Sequence, residues 1–302
     1  MGGASYPARE LEMNRRELIA ASAAATLVPA AAGVAATQAA VTVMNDLEYA
    51  TGAGEKLQLN LALPAGEGPF PGVVCIHGGG FRAGTRQGYD GMIKNLAGAG
   101  FAAVTIGYRL APKHPFPAAV HDCKAAVRWM RANASKYRIR PDRIGTMGGS
   151  AGGTLAQMLG VTAGVARFEG DGGNPEQSSA VTCVVNHYGA NDFTHSYGKS
   201  VDAHEVLPLY LGADLVKARK NHILSSPLFW VNPDSCPTLC IHGTEDKYVA
   251  YEQSVWLVDR LLSCEVEAQL MTMSGAGHGF RGEDLARAEA ATIAYFTRHL
   301  KA

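Results

Sequence analysis

The stretch Gly148-Gly149-Ser150-Ala151-Gly152 directly follows an apolar run at residues 143–147. A Gly-x-Ser-x-Gly pattern after a strand is typical of a nucleophile elbow, a sharp strand-to-helix turn that exposes a serine. The turn strains the serine backbone, and the glycines allow close packing that a side chain would block. We therefore predict that Ser150 is a nucleophile. The alternative is an ordinary glycine-rich turn at a helix start, since the chain contains 35 glycines.

A second glycine-rich segment, His77-Gly78-Gly79-Gly80-Phe81, follows the apolar run at residues 72–76. An oxyanion on an attacked carbonyl needs N–H donors, and glycines let backbone amides approach it closely. We predict an oxyanion hole formed by the amides of Gly79 and Gly80 and completed by the amide of Ala151. A phosphate-binding loop is disfavoured, because no Gly-Lys-Ser/Thr follows and no acidic residue stands at dinucleotide spacing.

The candidate general base is one of ten histidines. His278 lies in the glycine-rich segment Gly277-His278-Gly279-Phe280 after the apolar run at residues 266–273. Where an elbow carries the nucleophile, the order along the chain is serine, acid, histidine. Only His278 and His299 lie beyond a plausible acid, and His299 falls in the charged end of the last helical pattern. We predict that His278 is the base and that His77, His121 and His242 have structural roles.

The acid is expected in the loop after the apolar run at residues 237–241, where the chain reads His242-Gly243-Thr244-Glu245-Asp246. Glu245 and Asp246 are both candidates by position. Asp192, in the loop after the strand-like run at residues 181–187, is a third candidate by position. In each case the carboxylate would fix the histidine tautomer and stabilise the imidazolium.

The pattern of apolar runs predicts an α/β domain. Strand-like runs at residues 73–76, 101–106, 143–147, 181–187, 237–242 and 266–273 alternate with helical patterns near 89–99, 117–133, 151–163, 250–263 and 283–300. Such alternation implies a parallel sheet with helices on both faces. Residues 46–50 and 57–63 are expected to add an antiparallel edge. Residues 41–302 are long enough for a single catalytic domain.

Charge and composition exclude other classes. Lysine plus arginine and aspartate plus glutamate both number 27, so the formal net charge is zero and nucleic-acid binding is not expected. The spacing of histidine, cysteine and acidic residues indicates neither a metal nor a cofactor. No segment is long and apolar enough to predict a membrane span.

Taken together, these segments resemble the α/β-hydrolase superfamily, and within it the carboxylesterases of the hormone-sensitive-lipase-like group. Tyr108-Arg109-Leu110-Ala111-Pro112 and the helical pattern at residues 116–129 add to the resemblance. It implies an α/β-hydrolase fold and favours Asp246 over Glu245 as the acid. Gly149 departs from the pattern, because the lipase-like group usually carries aspartate there. The form found here is more similar to the bacterial feruloyl- and acetylxylan-esterase-like branch.

The function implied is that of a serine carboxylesterase acting on short-acyl or aryl esters through an acyl-enzyme intermediate. Feruloyl or acetyl esters of plant polysaccharide, and polyesters, are candidate substrates, so the partner is a small-molecule or polymer-borne ester. A serine peptidase of the same fold is the first alternative, although such peptidases usually carry an additional domain. A catalytically silent binding protein is the second, although such proteins typically lose a triad or oxyanion residue. Oligomeric state is left open.

Residues 191–235 form an insertion after the strand at 181–187, and we predict a small lid over the site, because ligands bind at the carboxyl ends of such strands. Ordinary helix packing is the alternative role for its apolar residues. Next to the candidate catalytic loops, Phe81, Tyr188 and Phe280 are predicted to bind substrate.

The N-terminal residues 1–40 predict export. Asn14-Arg15-Arg16-Glu17 precedes an alanine-rich, weakly apolar stretch, which is the layout of a twin-arginine signal peptide. The expected localisation is secreted or periplasmic, and an ordinary alanine-rich helix is the alternative. In an exported chain, Cys236 and Cys264 are candidates for a disulfide, since each precedes a strand and these strands are expected to be neighbours. Cys75, Cys183 and Cys240 fit buried strand positions.

Overall fold

The sheet is described in a computed structural model that covers residues 41–302. Its eight strands are β1 Thr42–Gly52, β2 Glu55–Leu63, β3 Phe70–Ile76, β4 Ala102–Ile106, β5 Ile139–Gly149, β6 Val184–His187, β7 Thr238–Gly243 and β8 Ala268–Met273. They form one sheet in the order β1-β2-β4-β3-β5-β6-β7-β8. Strands β1 and β2 pair antiparallel, as do β2 and β4, and every other neighbouring pair is parallel. The predicted parallel sheet with an antiparallel edge is confirmed.

Helices cover both faces of this sheet. The helices of the described residues are α1 Asp90–Gly98, α2 Ala118–Ala132, α3 Ala134–Tyr137, α4 Ala151–Val161, α5 Ala166–Glu169, α6 Ala203–Leu211, α7 Arg219–Ser225, α8 Glu252–Ser263 and α9 Gly282–Leu300. Helices α2 and α4 pack on one face of the sheet, and α1 and α9 pack on the other. None of these helices has the length and apolar character that crossing a membrane requires.

Strand β3 shows why the central strands are continuously apolar. Val74 and Ile76 pack into the core under α2 and α4, whereas Val73 and Cys75 pack into the core under α1 and α9. All four side chains are fully buried. A parallel strand covered on both faces has no solvent-facing row, so its sequence does not alternate. Its carboxyl end delivers the glycine-rich segment that begins at His77 to the edge where the site forms.

The segment at residues 191–235, here called the cap, contains α6, α7 and the short 3₁₀ turns Phe193–His195 and Pro227–Trp230. Short helices of this kind carry too few turns to give a clear helical period, so the sequence did not predict them individually. The prediction of a signal peptide falls on residues 1–40, which lie outside the described residues.

The disulfide considered for Cys236 and Cys264 is not formed. All six cysteines lie within the described residues, and none is paired. Cys236 Sγ instead donates to the Val181 carbonyl at 2.8 Å. The thiol therefore faces the segment that precedes β6. Cys75, Cys183 and Cys240 are buried, as expected for small apolar residues.

Candidate active site

Ser150 sits at the junction where β5 ends and α4 begins. Its backbone has φ 57° and ψ −124°, which is a strained conformation for a residue with a side chain. Gly152 is the second residue of α4, and a Cβ atom on it would lie 2.0 Å from the Ile76 carbonyl oxygen. Only glycine permits this approach, so the elbow depends on the bare backbone that the motif supplies.

Ser150, His278 and Asp246 form one hydrogen-bonded chain. His278 Nε2 lies 2.9 Å from Ser150 Oγ, and His278 Nδ1 lies 2.7 Å from Asp246 Oδ2. Because the carboxylate only accepts, Nδ1 carries the proton and Nε2 is left to accept from the serine hydroxyl. This geometry allows His278 to take the hydroxyl proton while Ser150 attacks a carbonyl.

Asp246 is buried, and four groups donate toward its carboxylate. The amides of Tyr248 and Val249 donate to Oδ1, each at 2.9 Å. Oδ2 lies against His278 Nδ1 and, at 3.2 Å, His242 Nε2. Burial alone raises the pKa of Asp246, but the hydrogen bonds from His242, His278 and the Val249 amide outweigh it and hold that pKa well below its usual range. The group is therefore a carboxylate at neutral pH.

The two other acid candidates are engaged elsewhere. Asp192 Oδ1 accepts from the amide and the hydroxyl of Thr194, and Oδ2 lies 2.8 Å from His195 Nδ1. Asp192 thereby caps the 3₁₀ turn at the start of the cap. Glu245 is exposed. The structure thus brings Asp246, and neither alternative, to His278.

The glycine-rich loop after β3 faces Ser150 across the pocket. Among the described residues, the amides of Gly79 and Gly80 donate no hydrogen bond, so both remain available to a ligand. The Ala151 amide occupies the first position of α4, where no intrahelical acceptor exists. Gly79 has φ 114°, and a Cβ there would lie 2.2 Å from the Ala83 oxygen. The three predicted oxyanion residues therefore share one pocket wall with Ser150.

Tyr108 holds this loop from behind. Its ring stacks on His77 with 4.3 Å between centroids, and its hydroxyl donates to the His77 carbonyl at 2.9 Å. The next residue, Arg109, is anchored by Asp122, which accepts from the Arg109 amide and guanidinium. The Tyr108-Arg109 segment singled out in the sequence thus supports the loop without entering the pocket.

The pocket has a volume of about 690 Å³ and is lined by Ser150, His278 and the cap. Its apolar wall combines Phe81 with Phe193, Val206 and Leu207 from the cap. The Phe81 ring stacks on Tyr210 of α6 with 3.8 Å between centroids, which places this predicted substrate-binding residue in the pocket wall. Polar residues on the wall are Arg82, Ser196, Ser200 and Asp202.

Tyr188 and Phe280 differ in their placement. Tyr188 lines the pocket and meets the His278 ring edge-on at 4.9 Å between centroids. Phe280 was also expected to contact substrate, but it is absent from the pocket wall. It is buried behind Tyr188, edge-on at 5.0 Å, because its side chain turns toward the core under α9. Phe280 thus supports Tyr188 and does not line the pocket.

Two tyrosines of the pocket wall were missed in the sequence. Tyr248 flanks the His278 ring at 5.3 Å, and Tyr89 lines the pocket from the turn before α1. A Cβ on Gly149 would lie 2.9 Å from the Tyr89 hydroxyl and 3.0 Å from that of Tyr188. These hydroxyls occupy the space beside Gly149, where the lipase-like group carries aspartate. The glycine itself was the only signal in the sequence.

No group of three histidine, cysteine or acidic side chains within residues 41–302 is arranged to hold a metal ion.

The fold and this arrangement define the class as the α/β-hydrolase superfamily, and the resemblance to its carboxylesterases is confirmed. Residues 59–261, more than half of the chain, match the BD-FAE family. The chain belongs to that family.

Individual relatives agree with this assignment. The chain is 33% identical over 229 residues to Esterase LipC of Mycobacterium tuberculosis (strain ATCC 25618 / H37Rv), covering 72% of this chain and 55% of that one. A truncated form of a carbohydrate esterase from gut microbiota superposes with a TM-score of 0.77 at 28% identity, covering 88% and 99%. The bifunctional GH43-CE protein of Bacteroides eggerthii gives 0.76 at 29%, covering 85% and 38%. The chain spans about half the length of the curated relatives it matches.

The elbow generates a steric prediction. We expect Gly152→Ala to destabilise the protein by about 3 kcal/mol or more, because the new Cβ would overlap a backbone oxygen that cannot move independently. Chemical denaturation measures the change. Gly98→Ala at the end of α1 is the matched control, since a Cβ there meets nothing within 4 Å, and we expect its stability to stay within about 1 kcal/mol of the parent. Equal effects of the two substitutions would contradict the close packing.

Proposed function

We propose that this protein is a serine carboxylesterase that hydrolyses short-acyl or aryl carboxylic esters. The hydrogen-bonded chain from Ser150 through His278 to Asp246, at the wall of a pocket with unengaged amides, carries the proposal. The names of the relatives, Esterase LipC among them, support the same reaction class.

In the proposed reaction, Ser150 Oγ attacks the ester carbonyl and His278 Nε2 takes its proton. The amides of Gly79, Gly80 and Ala151 stabilise the oxyanion of the tetrahedral intermediate. His278 then returns the proton to the leaving alcohol, which leaves an acyl-enzyme. Water activated by the same histidine hydrolyses that ester and regenerates Ser150. Asp246 holds the histidine tautomer throughout and stabilises its cationic form.

Different sides of the pocket suit the two parts of an ester, its acyl group and its alcohol. The cap supplies an apolar wall of moderate size, suited to a short or aromatic acyl group. Tyr188 and Tyr248 flank His278, which must reach the leaving alcohol. Phenolic rings and hydroxyls on that side suit a polyhydroxylated alcohol. Esters carried by plant polysaccharide are therefore the favoured natural substrates, in line with the carbohydrate-esterase neighbour.

The first test is Ser150→Ala. We expect the variant to fold and to lose at least about ten-thousandfold in kcat, because removal of the nucleophile abolishes the joint contribution of the three side chains. Hydrolysis of p-nitrophenyl acetate measures the loss. A serine-directed phosphonate should label Ser150 and no other serine in the parent, and should not label the variant. Retention of more than about a tenth of the activity would refute the mechanism.

The second test separates the acids. Asp246→Asn should lower kcat about ten-thousandfold, because an amide cannot hold the histidine tautomer. Asp192→Asn is the matched control and should change kcat less than about tenfold, since Asp192 caps a turn. The reverse ranking would move the catalytic acid to the cap.

The third test addresses the acyl group. Across p-nitrophenyl esters from acetate to palmitate, we expect kcat/KM to be highest for short chains and at least about a hundredfold lower for palmitate, because the cap bounds a pocket of about 690 Å³. Methyl ferulate and acetylated xylan, assayed beside them, rank aryl and polysaccharide esters. A preference for palmitate would indicate a lipase instead.

We also propose that residues 1–40 contain a twin-arginine export signal and that the mature protein is secreted or periplasmic. The pair Arg15-Arg16 before an alanine-rich stretch supports this. Intact-mass measurement of protein recovered from a Tat-competent host should show a chain that starts near Val41. An esterase assay should show that this chain keeps full activity. A mature product that still contains Arg15 and Arg16 would contradict export by this route.

A further inference from the structure

His242 is a buried histidine that lies beside the candidate catalytic acid. It occupies the penultimate position of β7, and its side chain is fully buried. Its Nε2 atom lies 3.2 Å from Asp246 Oδ2, the same oxygen that accepts from His278. The two histidines thus approach one carboxylate oxygen from different sides, although only His278 faces the pocket.

The protonation of the His242 ring follows from its neighbours. Nε2 also lies 3.0 Å from the Val249 carbonyl, so both groups that face this nitrogen are acceptors. Nε2 must therefore carry a proton. On the other side of the ring, Nδ1 lies 2.7 Å from the hydroxyl of Ser254, which is fully buried on α8. Ser254 fixes the ring from one side while the Nε2 proton is directed between Asp246 and Val249.

Asp246 gains a specific constraint from this arrangement. The amides of Tyr248 and Val249 fix Oδ1, but they leave the carboxylate free to tilt about that anchor. The Nε2–H group of His242, 3.2 Å from Oδ2, limits this tilt and helps to set the direction from which Oδ2 meets His278. His242 simultaneously binds the Val249 carbonyl, so it ties the acid to the loop that carries the two amides.

We propose that His242 is a positioning residue of the esterase reaction. It holds Asp246 Oδ2 at hydrogen-bonding distance from His278 Nδ1, while Ser254 orients the His242 ring. This inference rests on the proposed function. His242 touches neither substrate nor Ser150, so its effect is transmitted wholly through Asp246. It should change kcat and leave KM nearly unchanged, because the ground-state complex makes no contact with it.

A matched pair of substitutions at residue 242 tests the hydrogen bond. His242→Gln keeps an N–H donor at nearly the reach of Nε2, whereas His242→Leu removes it at similar volume. We expect His242→Leu to lower kcat about ten- to a hundredfold with KM within about threefold, which is the range for loss of a hydrogen bond to a charged group. His242→Gln should retain kcat within about fivefold of the parent. Equal losses in the two variants would show that ring packing matters and would overturn the proposal.

A double-mutant cycle with Asp246→Asn identifies the route of the effect. If His242 acts through Asp246, His242→Leu should lower kcat less than about twofold once residue 246 is asparagine. A full ten- to hundredfold loss in that background would assign His242 a role independent of the acid and overturn the proposal. If Asp246→Asn is inactive but His242→Leu behaves like the parent, the positioning role fails while the esterase mechanism stands.

Ser254→Ala gives a milder test should His242→Leu unfold. It removes the partner of Nδ1 without placing a new group beside Asp246, and we expect kcat to fall about two- to fivefold with KM unchanged. Circular dichroism and thermal unfolding establish that each variant is folded at the assay temperature. An unchanged kcat in folded Ser254→Ala, together with an unchanged or unmeasurable His242→Leu, would count against the proposal.

Discussion

The close approach of α4 to the end of β3 is the constraint on which the site depends. Gly152 lies against the carbonyls of Ile76 and His77, and a Cβ on Gly78 would lie 2.7 Å from the Gly149 oxygen. Two backbones are therefore in contact at the point where the nucleophile and the glycine-rich loop leave adjacent strands. Because no side chain separates them, the distance between Ser150 and the amides of Gly79 and Gly80 is set by main-chain packing. Such a preorganised donor set does not have to reorganise when charge develops.

Electrostatics at the acid complete this preorganisation. A buried carboxylate is costly unless its lone pairs are satisfied. Two loop amides and two histidines satisfy Asp246, which keeps it ionised in spite of burial. The ionised carboxylate in turn accepts from His278 Nδ1, which leaves Nε2 facing Ser150 as the proposed reaction requires. Asp246 is thus both buried and ionised because its own loop and β7 supply N–H groups to its carboxylate oxygens.

The sequence predicted what contiguous motifs encode and missed what depends on side-chain direction. The sheet, its antiparallel edge and the five long helices followed from apolar periodicity, and the catalytic candidates followed from glycine-rich segments at strand ends. Phe280 was predicted to contact substrate because it lies two residues after His278, but this spacing does not reveal that its ring turns into the core. His242 was assigned a structural role, which agrees with its contact with the Val249 carbonyl, but its placement beside Asp246 was not predicted. The placement of Tyr89 beside Gly149 was signalled only by the glycine, and the direction of the Cys236 side chain left no local pattern, because both depend on contacts between distant segments.

The attachment of the cap decides how rigid the acyl wall is. One candidate link is the ion pair of Arg82 with Glu205 on α6, but both side chains are substantially exposed, so the pair contributes little. The buried link is aromatic: Phe81 stacks on Tyr210, and Phe193 meets both rings edge-on. Phe81 follows directly after Gly80 and has φ 61°, a left-handed conformation that directs its ring into the cap. The glycine-rich loop and the cap therefore share one packed residue. Because this aromatic cluster is buried, it holds the apolar wall of the pocket against the loop that carries Gly79 and Gly80.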